Sequence, residues 1–290
     1  MKKRTAKQRK KIIHSIIVGI SVLFISVFIA FLVLFIILPL PGTVPVLMYH
    51  FVGSERDAKD NSNYVSARMF ANQMAFLKRF GYRVLSLAEY EDTLTGKRKP
   101  RGREVVITFD DGHYTFADQA LPILDRYQFP VNLFLISEFV KGHIKCGSME
   151  KDTLDNTLLT RPWIHVNSHT RTAPELPSLS EAEILAELSG SKADLEAMFR
   201  VPVNYLAYPS GEFDERVIQA ARQAGYHLAF TTAPKKLKKI PLGPYSLTRD
   251  KIFRESENPF VFWSHVSGLY QWFKESRHLA KQKERETGLA

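Results

Sequence analysis

A chain of 290 residues with 45% hydrophobic content has room for one sizeable core and a short appendage, which excludes two large domains. Its formal charge of +10 resembles a nucleic-acid signal until it is located: the first eleven residues carry seven Lys or Arg and no acid, leaving 33 basic against 30 acidic residues elsewhere. The body of the chain is nearly charge-balanced, so no nucleic acid is expected as a partner. Cys146 is the only cysteine, which excludes an intrachain disulfide and a cysteine-built zinc site.

In chain order, residues 1–11 form a basic tail and Ile12 to Leu38 run for 27 residues without Asp, Glu, Lys or Arg. About 20 such residues span a bilayer, whereas a cleavable leader has an apolar core of about 7–15 residues and a small-residue cleavage site, absent here before Pro39. A transmembrane helix over 12–38 is expected, with the Lys/Arg tail cytoplasmic and the rest of the chain extracytoplasmic: a single-pass protein of the cell membrane. Pro39, Pro41, Gly42 and Pro45 punctuate a linker over 39–45. Beyond it, strands are expected at Val44–Tyr49, Tyr82–Leu87, Val105–Phe109, Val131–Ile136, Trp163–Ser168, Tyr205–Tyr208 and His227–Thr231. Helices are expected at Phe70–Phe80, Leu121–Tyr127, Ser180–Phe199 and Glu215–Ala224. Ser180 with Glu183 has the capping-box pattern. Lys141–Arg161 reads as a polar, irregular loop, Lys235–Lys239 (KKLKK) as a solvated loop, and 269–290 as a charged helical tail. Short strands alternating with helices predict an α/β fold with a parallel sheet, closed or nearly closed into a barrel over 46–268.

Polar residues fall where the strands end: His50 after VPVLMY, Asp110 and Asp111 after VVITF, His169 after WIHVNS, and Pro209-Ser210-Gly211 after YLAY. Reactive groups in parallel α/β folds gather at those ends. Two adjacent carboxylates need a metal ion or a nearby cation to stay charged together. With a metal, one would bind the ion beside imidazole while the other takes a proton from water.

Together these segments resemble the polysaccharide deacetylases of the NodB-homology type, carbohydrate esterase family four. Thr108-Phe109-Asp110-Asp111-Gly112 is similar to their first motif, Ser168-His169-Thr170 to the start of the second, and Tyr208-Pro209-Ser210-Gly211 to the third. Val46-Leu47-Met48-Tyr49-His50 is similar to a subgroup, including deacetylases of exported poly-N-acetylglucosamine, in which the last motif's histidine comes first. The resemblance covers about residues 44–250. It implies a distorted (β/α) barrel and hydrolysis of N-acetyl groups from an extracytoplasmic polysaccharide such as poly-N-acetylglucosamine or peptidoglycan, alongside exopolysaccharide or cell-wall machinery. It further implies Asp110 as general base, His50 as the acid that protonates the departing amine, and Asp111 and His169 as ligands of a divalent metal, expected to be Zn. Tyr208, Pro209 and Gly211 are implied at the substrate, with a backbone N–H near Tyr208 holding the oxyanion, and Arg249 orients the base.

The second motif departs from the family pattern. Where the family continues to another His four residues on, Ala173 stands. Catalytic zinc normally keeps three protein ligands, and only two are in place. His113 is a candidate third ligand; His165 shares a strand face with His169 but lies roughly 13 Å away at ~3.3 Å per residue. The alternatives are an ion held weakly by Asp111, His169 and water, or a domain that binds or scaffolds glycan without turnover. A two-carboxylate glycosidase needs acids about 5–10 Å apart, which adjacent residues fit poorly.

Overall fold

The structure, a computed structural model, describes residues 6–37, 43–56, 61, 63–142, 147–149, 151–232, 243–273 and 276. The chain divides into two compact units, Met1–Pro39 and Leu40–Ala290.

The first unit is the helix α1 (Ala6–Ile37). Its described side chains, Ile13 to Ile29, are exposed and mostly apolar, with Phe24 at 74%. Over the described residues no helix is long and apolar enough to cross a membrane, so the span expected over 12–38 is taken up below as a proposal.

The second unit is built on parallel strands: β1 (Val46–Tyr49), β2 (Phe51–Gly53), β3 (Tyr64–Ser66), β4 (Arg83–Leu85), β5 (Glu104–Asp111), β6 (Val131–Leu135), β7 (Ile164–Ser168), β8 (Tyr205–Ala207), β9 (Leu228–Thr231), β10 (Leu247–Thr248) and β11 (Asp250–Lys251). Among the described residues, nine of them form one sheet in the order β10-β9-β8-β7-β6-β5-β1-β11, with β4 beside the start of β5; β2 and β3 pair separately. β10 and β11 belong to one extended stretch, in which Leu247 and Thr248 pair with β9 while Asp250 and Lys251 pair with β1. The two sheet edges thus meet on one segment, with Arg249 at the seam, and the result is a nearly closed (β/α) barrel.

Alternation along the strands separates two cores. Val46, Val106, Phe134, Tyr205, Ala207, Leu228 and Phe230 belong to one small buried cluster, and Leu47, Ile107, Leu133, Val166, Leu206 and Ala229, one residue out of phase, pack into the larger one. The helix Glu181–Phe199 closes its first turn with the Ser180–Glu183 capping box and buries Ile184, Leu188 and Leu195.

Three local expectations are corrected. β5 continues through both aspartates, because β6 pairs Phe134 with Asp110 and Leu135 with Asp111. The stretch read as an irregular loop contains the helix Lys151–Leu159, anchored by the fully buried Leu154. A helix at Leu87–Leu94, opened by a second capping box of Ser86 and Glu89, was not foreseen. Lys235–Lys239, most of the linker 39–45 and nearly all of the tail beyond 273 lie outside the described residues.

Candidate active site

Because every strand of the barrel is parallel, the residues that end β1, β5, β7 and β8 share one mouth. Asp110 is 2% exposed and Arg249 1%. Arg249 spans the seam and donates from Nη1 and Nη2 to the two oxygens of Asp110, at 2.7 and 2.6 Å, and from Nη1 to Thr108 Oγ1 at 3.1 Å. Its guanidinium also lies 5.1 Å from the centre of the Phe134 ring. Burial pushes the Asp110 carboxyl up, but the charge of Arg249 outweighs it, with help from His169 and His50, and holds the group below the usual carboxylate value of 3.8. Asp110 is therefore ionised at neutral pH, and each oxygen keeps a lone pair free of the fork.

Asp111 turns the other way. It sits in the left-handed region at φ 69, followed by Gly112 at φ 71, where a Cβ would come within 2.6 Å of Leu135 Cδ2. This turn swings the Asp111 carboxylate toward His169, whose Nε2 lies 3.5 Å from Asp111 Oδ1. The His169 ring is 5% exposed, and its Nδ1 donates to the carbonyl of Ala207 at 2.8 Å. That bond fixes the tautomer and leaves the Nε2 lone pair facing Asp111, the pose of a metal-ligating imidazole. The pair remains two donors. Ala173 follows in a left-handed turn, φ 60, its N–H donating to Thr170 Oγ1 at 3.0 Å.

His113 lies within reach of the charge of Asp111, but its ring nitrogens are engaged elsewhere. Its Nδ1 accepts from the Thr115 N–H at 3.3 Å and meets Thr115 Oγ1 at 2.9 Å, its Nε2 edge packs against Gly147, and its ring lies 4.5 Å from that of Phe51. Among the described residues no group of three or more His, Cys, Asp or Glu is placed to hold a metal ion. Among the described residues the donor set is one ligand short of a catalytic zinc site. His165, paired with Asn132 near the start of β7, lies toward the opposite end of the barrel.

His50 follows β1 and is largely buried. Burial pushes its imidazole below the ordinary 6.5, opposed by the charges of Asp110 and Asp111 and reinforced by Arg249 and Lys251. Tyr208 turns its ring into the core, where it stacks at 5.0 Å on Phe213 and its hydroxyl donates to the Tyr245 carbonyl at 3.0 Å. Its N–H is spent on the Phe230 carbonyl, Pro209 has none, and that of Gly211 returns to the Tyr208 carbonyl. The backbone donor left in this turn is Ser210, exposed and held at φ 55. The sequence places Ser210 in this turn and implies a backbone N–H near Tyr208 at the oxyanion, but which N–H is open depends on where the others go.

Residues 97–229 match the polysaccharide deacetylase family. The chain is 30% identical over 214 residues, 73% of its length, to YxkH of Bacillus subtilis, whose name assigns it to the polysaccharide deacetylases and of which 72% is covered. This chain belongs to the polysaccharide deacetylase family. It is 28% identical over 202 residues to a Staphylococcus aureus poly-beta-1,6-N-acetyl-D-glucosamine N-deacetylase, covering 64% of this chain and 66% of that one. The deacetylase PplD of Streptococcus pyogenes, solved with acetate, superposes with a TM-score of 0.67 at 25% identity, covering 79% of this chain and 99% of that one. As a family member, the polysaccharide deacetylase described here is a hydrolase of N-acetyl amide bonds.

Proposed function

We propose that this polysaccharide deacetylase removes N-acetyl groups from a polymer of the poly-N-acetylglucosamine type outside the cytoplasm. The observation that carries this reading is the buried Asp110–Arg249 fork, at the mouth that also holds His50, the Asp111–His169 pair and the Ser210 turn. Asp110 takes a proton from the water that attacks the acetamide carbonyl. The Ser210 N–H faces the negative charge that develops on the carbonyl oxygen. His50 passes a proton to the amine as the C–N bond breaks, and acetate and a glucosamine unit leave. Among the described residues Asp111 and His169 would hold a divalent ion, which would polarise the acetamide carbonyl and lower the pKa of the attacking water; with two such donors it would be held weakly. The name of the Staphylococcus aureus relative supports the choice of polymer.

The exported location is supported by the uncharged run of 12–38 behind a basic tail. An exposed wall of Ile, Val, Leu and Phe along α1 is a surface that lipid would cover.

The test is acetate release from N-acetylglucosamine oligomers. Asp110→Asn keeps the side-chain shape, removes the base and leaves one oxygen to accept from Arg249, so kcat is expected to fall about 10²–10⁴-fold. Turnover undiminished in that variant, or none by the wild-type chain at any added divalent metal, would overturn the reading, and the latter outcome favours a glycan-binding role.

A further inference from the structure

Behind the seam strand, one pair of titratable side chains is buried with its polar atoms unused by the chemistry above. Asp250 opens β11 opposite Leu47 of β1, and His265 lies on the helix Pro259–Val266, whose Phe262 and Val266 pack into the larger core. Asp250 is 2% exposed and His265 not at all. Both carboxylate oxygens of Asp250 and Nδ1 of His265 are buried without a hydrogen-bond partner, and Oδ2 and Nδ1 face each other at 3.6 Å. The other ring nitrogen, Nε2, lies 3.4 Å from Ser256 Oγ, and the ring packs against Tyr270 at 4.1 Å.

The separation decides what this pair is. A charge-assisted N–H···O bond between imidazolium and carboxylate closes to about 2.7–2.9 Å, and at 3.6 Å that bond is unmade. A carboxylate buried without a donor is costly, and a cation is the remedy. Two donors held by one tetrahedral ion at about 2.0–2.2 Å stand about 3.4 Å apart, close to the spacing seen here and to the 3.5 Å between His169 Nε2 and Asp111 Oδ1. With the Nε2 proton directed at Ser256 Oγ, the Nδ1 lone pair is left toward Asp250, as in a metal-bound imidazole. Asp250 also lines a cavity of about 350 Å³ with Thr43, Ser246, Thr248 and Gln271. Their hydroxyl and amide groups suit the waters that would complete an ion's shell, and the cavity gives the ion a way in.

We propose that Asp250 and His265 form a second divalent-cation site, for an ion of the zinc type that accepts imidazole and carboxylate together. Successive side chains of a strand alternate, so Asp250 turns away from the mouth into which Arg249 reaches. The ion's task is therefore structural: it ties the helix Pro259–Val266 to the strand that delivers Arg249 to Asp110. Two protein donors make the site weak, filled when metal is supplied.

The test uses the full chain with zinc alone as the probe, read by equilibrium dialysis and by the thermal midpoint. His169→Ala takes an imidazole from the pair at the mouth, and in that variant zinc is still expected to bind and to raise the midpoint. Adding Asp250→Asn or His265→Gln to it is expected to lower zinc affinity about tenfold or more and to remove most of the rise. Undiminished zinc affinity in either folded double variant overturns the site, and so does a midpoint that zinc leaves unmoved in His169→Ala, which would make the two side chains an ion pair only. Zinc anomalous scattering from crystals of the unsubstituted chain needs no substitution at the pair. A peak between Asp250 and His265 supports the proposal, and a peak at the mouth alone overturns it. Zinc uptake is read without turnover, so a chain that releases no acetate leaves each of these outcomes as it stands.

Discussion

A carboxylate with 2% exposure would ordinarily take up a proton; Asp110 keeps its charge because Arg249 grips both oxygens. The same cation acts on His50, together with Lys251, whose Nζ donates to Asn63 Oδ1 at 2.6 Å. As the acid, His50 must carry a proton, so activity is lost as pH rises through its folded value, which lies below 6.5. Lys251→Gln removes one of the cations that depress it, and the alkaline limb of kcat/KM is expected to move upward; pH–rate profiles of the two proteins check the direction. At position 173 the left-handed backbone is one that His adopts more readily than most side chains. Ala173→His is therefore expected to raise zinc affinity on the order of tenfold or more, read as metal retained after dialysis. An unchanged metal content would show that the Asp111–His169 pair has been rewired. Asp110, Asp111, His169 and His50 were legible as residues because each follows an apolar run. The pairing of Arg249 with Asp110 is implied by the family resemblance alone; the residue pattern carries no sign of it, since the fork joins positions 139 apart through a seam that exists only in the closed barrel.

At the scale of elements, β5 carries the heaviest demand: it pairs with β1, β4 and β6 and delivers both aspartates. Its first residue, Glu104, has a side chain with no exposure, bound by Arg98 at 2.6 and 3.0 Å and by the Arg101 N–H at 3.1 Å. Burial raises the Glu104 carboxyl, but these donors outweigh it and hold the folded pKa below 4.5. A depressed folded value means that the stabilisation is present above pH 4.5 and is lost as pH falls through the folded value. Glu104→Ala is expected to cost about 3 kcal/mol near neutral pH, and the gap from wild type should narrow below pH 4.5 in urea titrations. The strands could be read from apolar runs, but their ends shifted by a residue or two, because pairing partners set where a strand stops. The helix Lys151–Leu159 escaped because its polar sequence carries little periodicity, and burial of Leu154 supplies what propensity does not.

For the whole molecule, the division after Pro39 separates a helical unit from the barrel unit. If residues 12–38 anchor the chain, deleting 1–39 should move the deacetylase from the membrane to the soluble fraction, and external protease should digest the barrel in intact spheroplasts; a protected barrel would reverse the topology. By itself the sequence determined the architecture and the kind of chemistry. Apolar runs of strand length alternating with helices favour a parallel barrel, and polar residues at their ends favour a site at one mouth, because both patterns follow from local burial. Only the tertiary structure decided which groups meet there. Closure of the sheet through Leu247–Lys251 brings Arg249 onto Asp110, the hydrogen bonds of β8 and its turn leave Ser210 as the open donor, and the turn after Asp111 sends His113 onto the Phe51 ring. Each of these depends on contacts between segments distant in the chain, and a local pattern of residues carries no record of them.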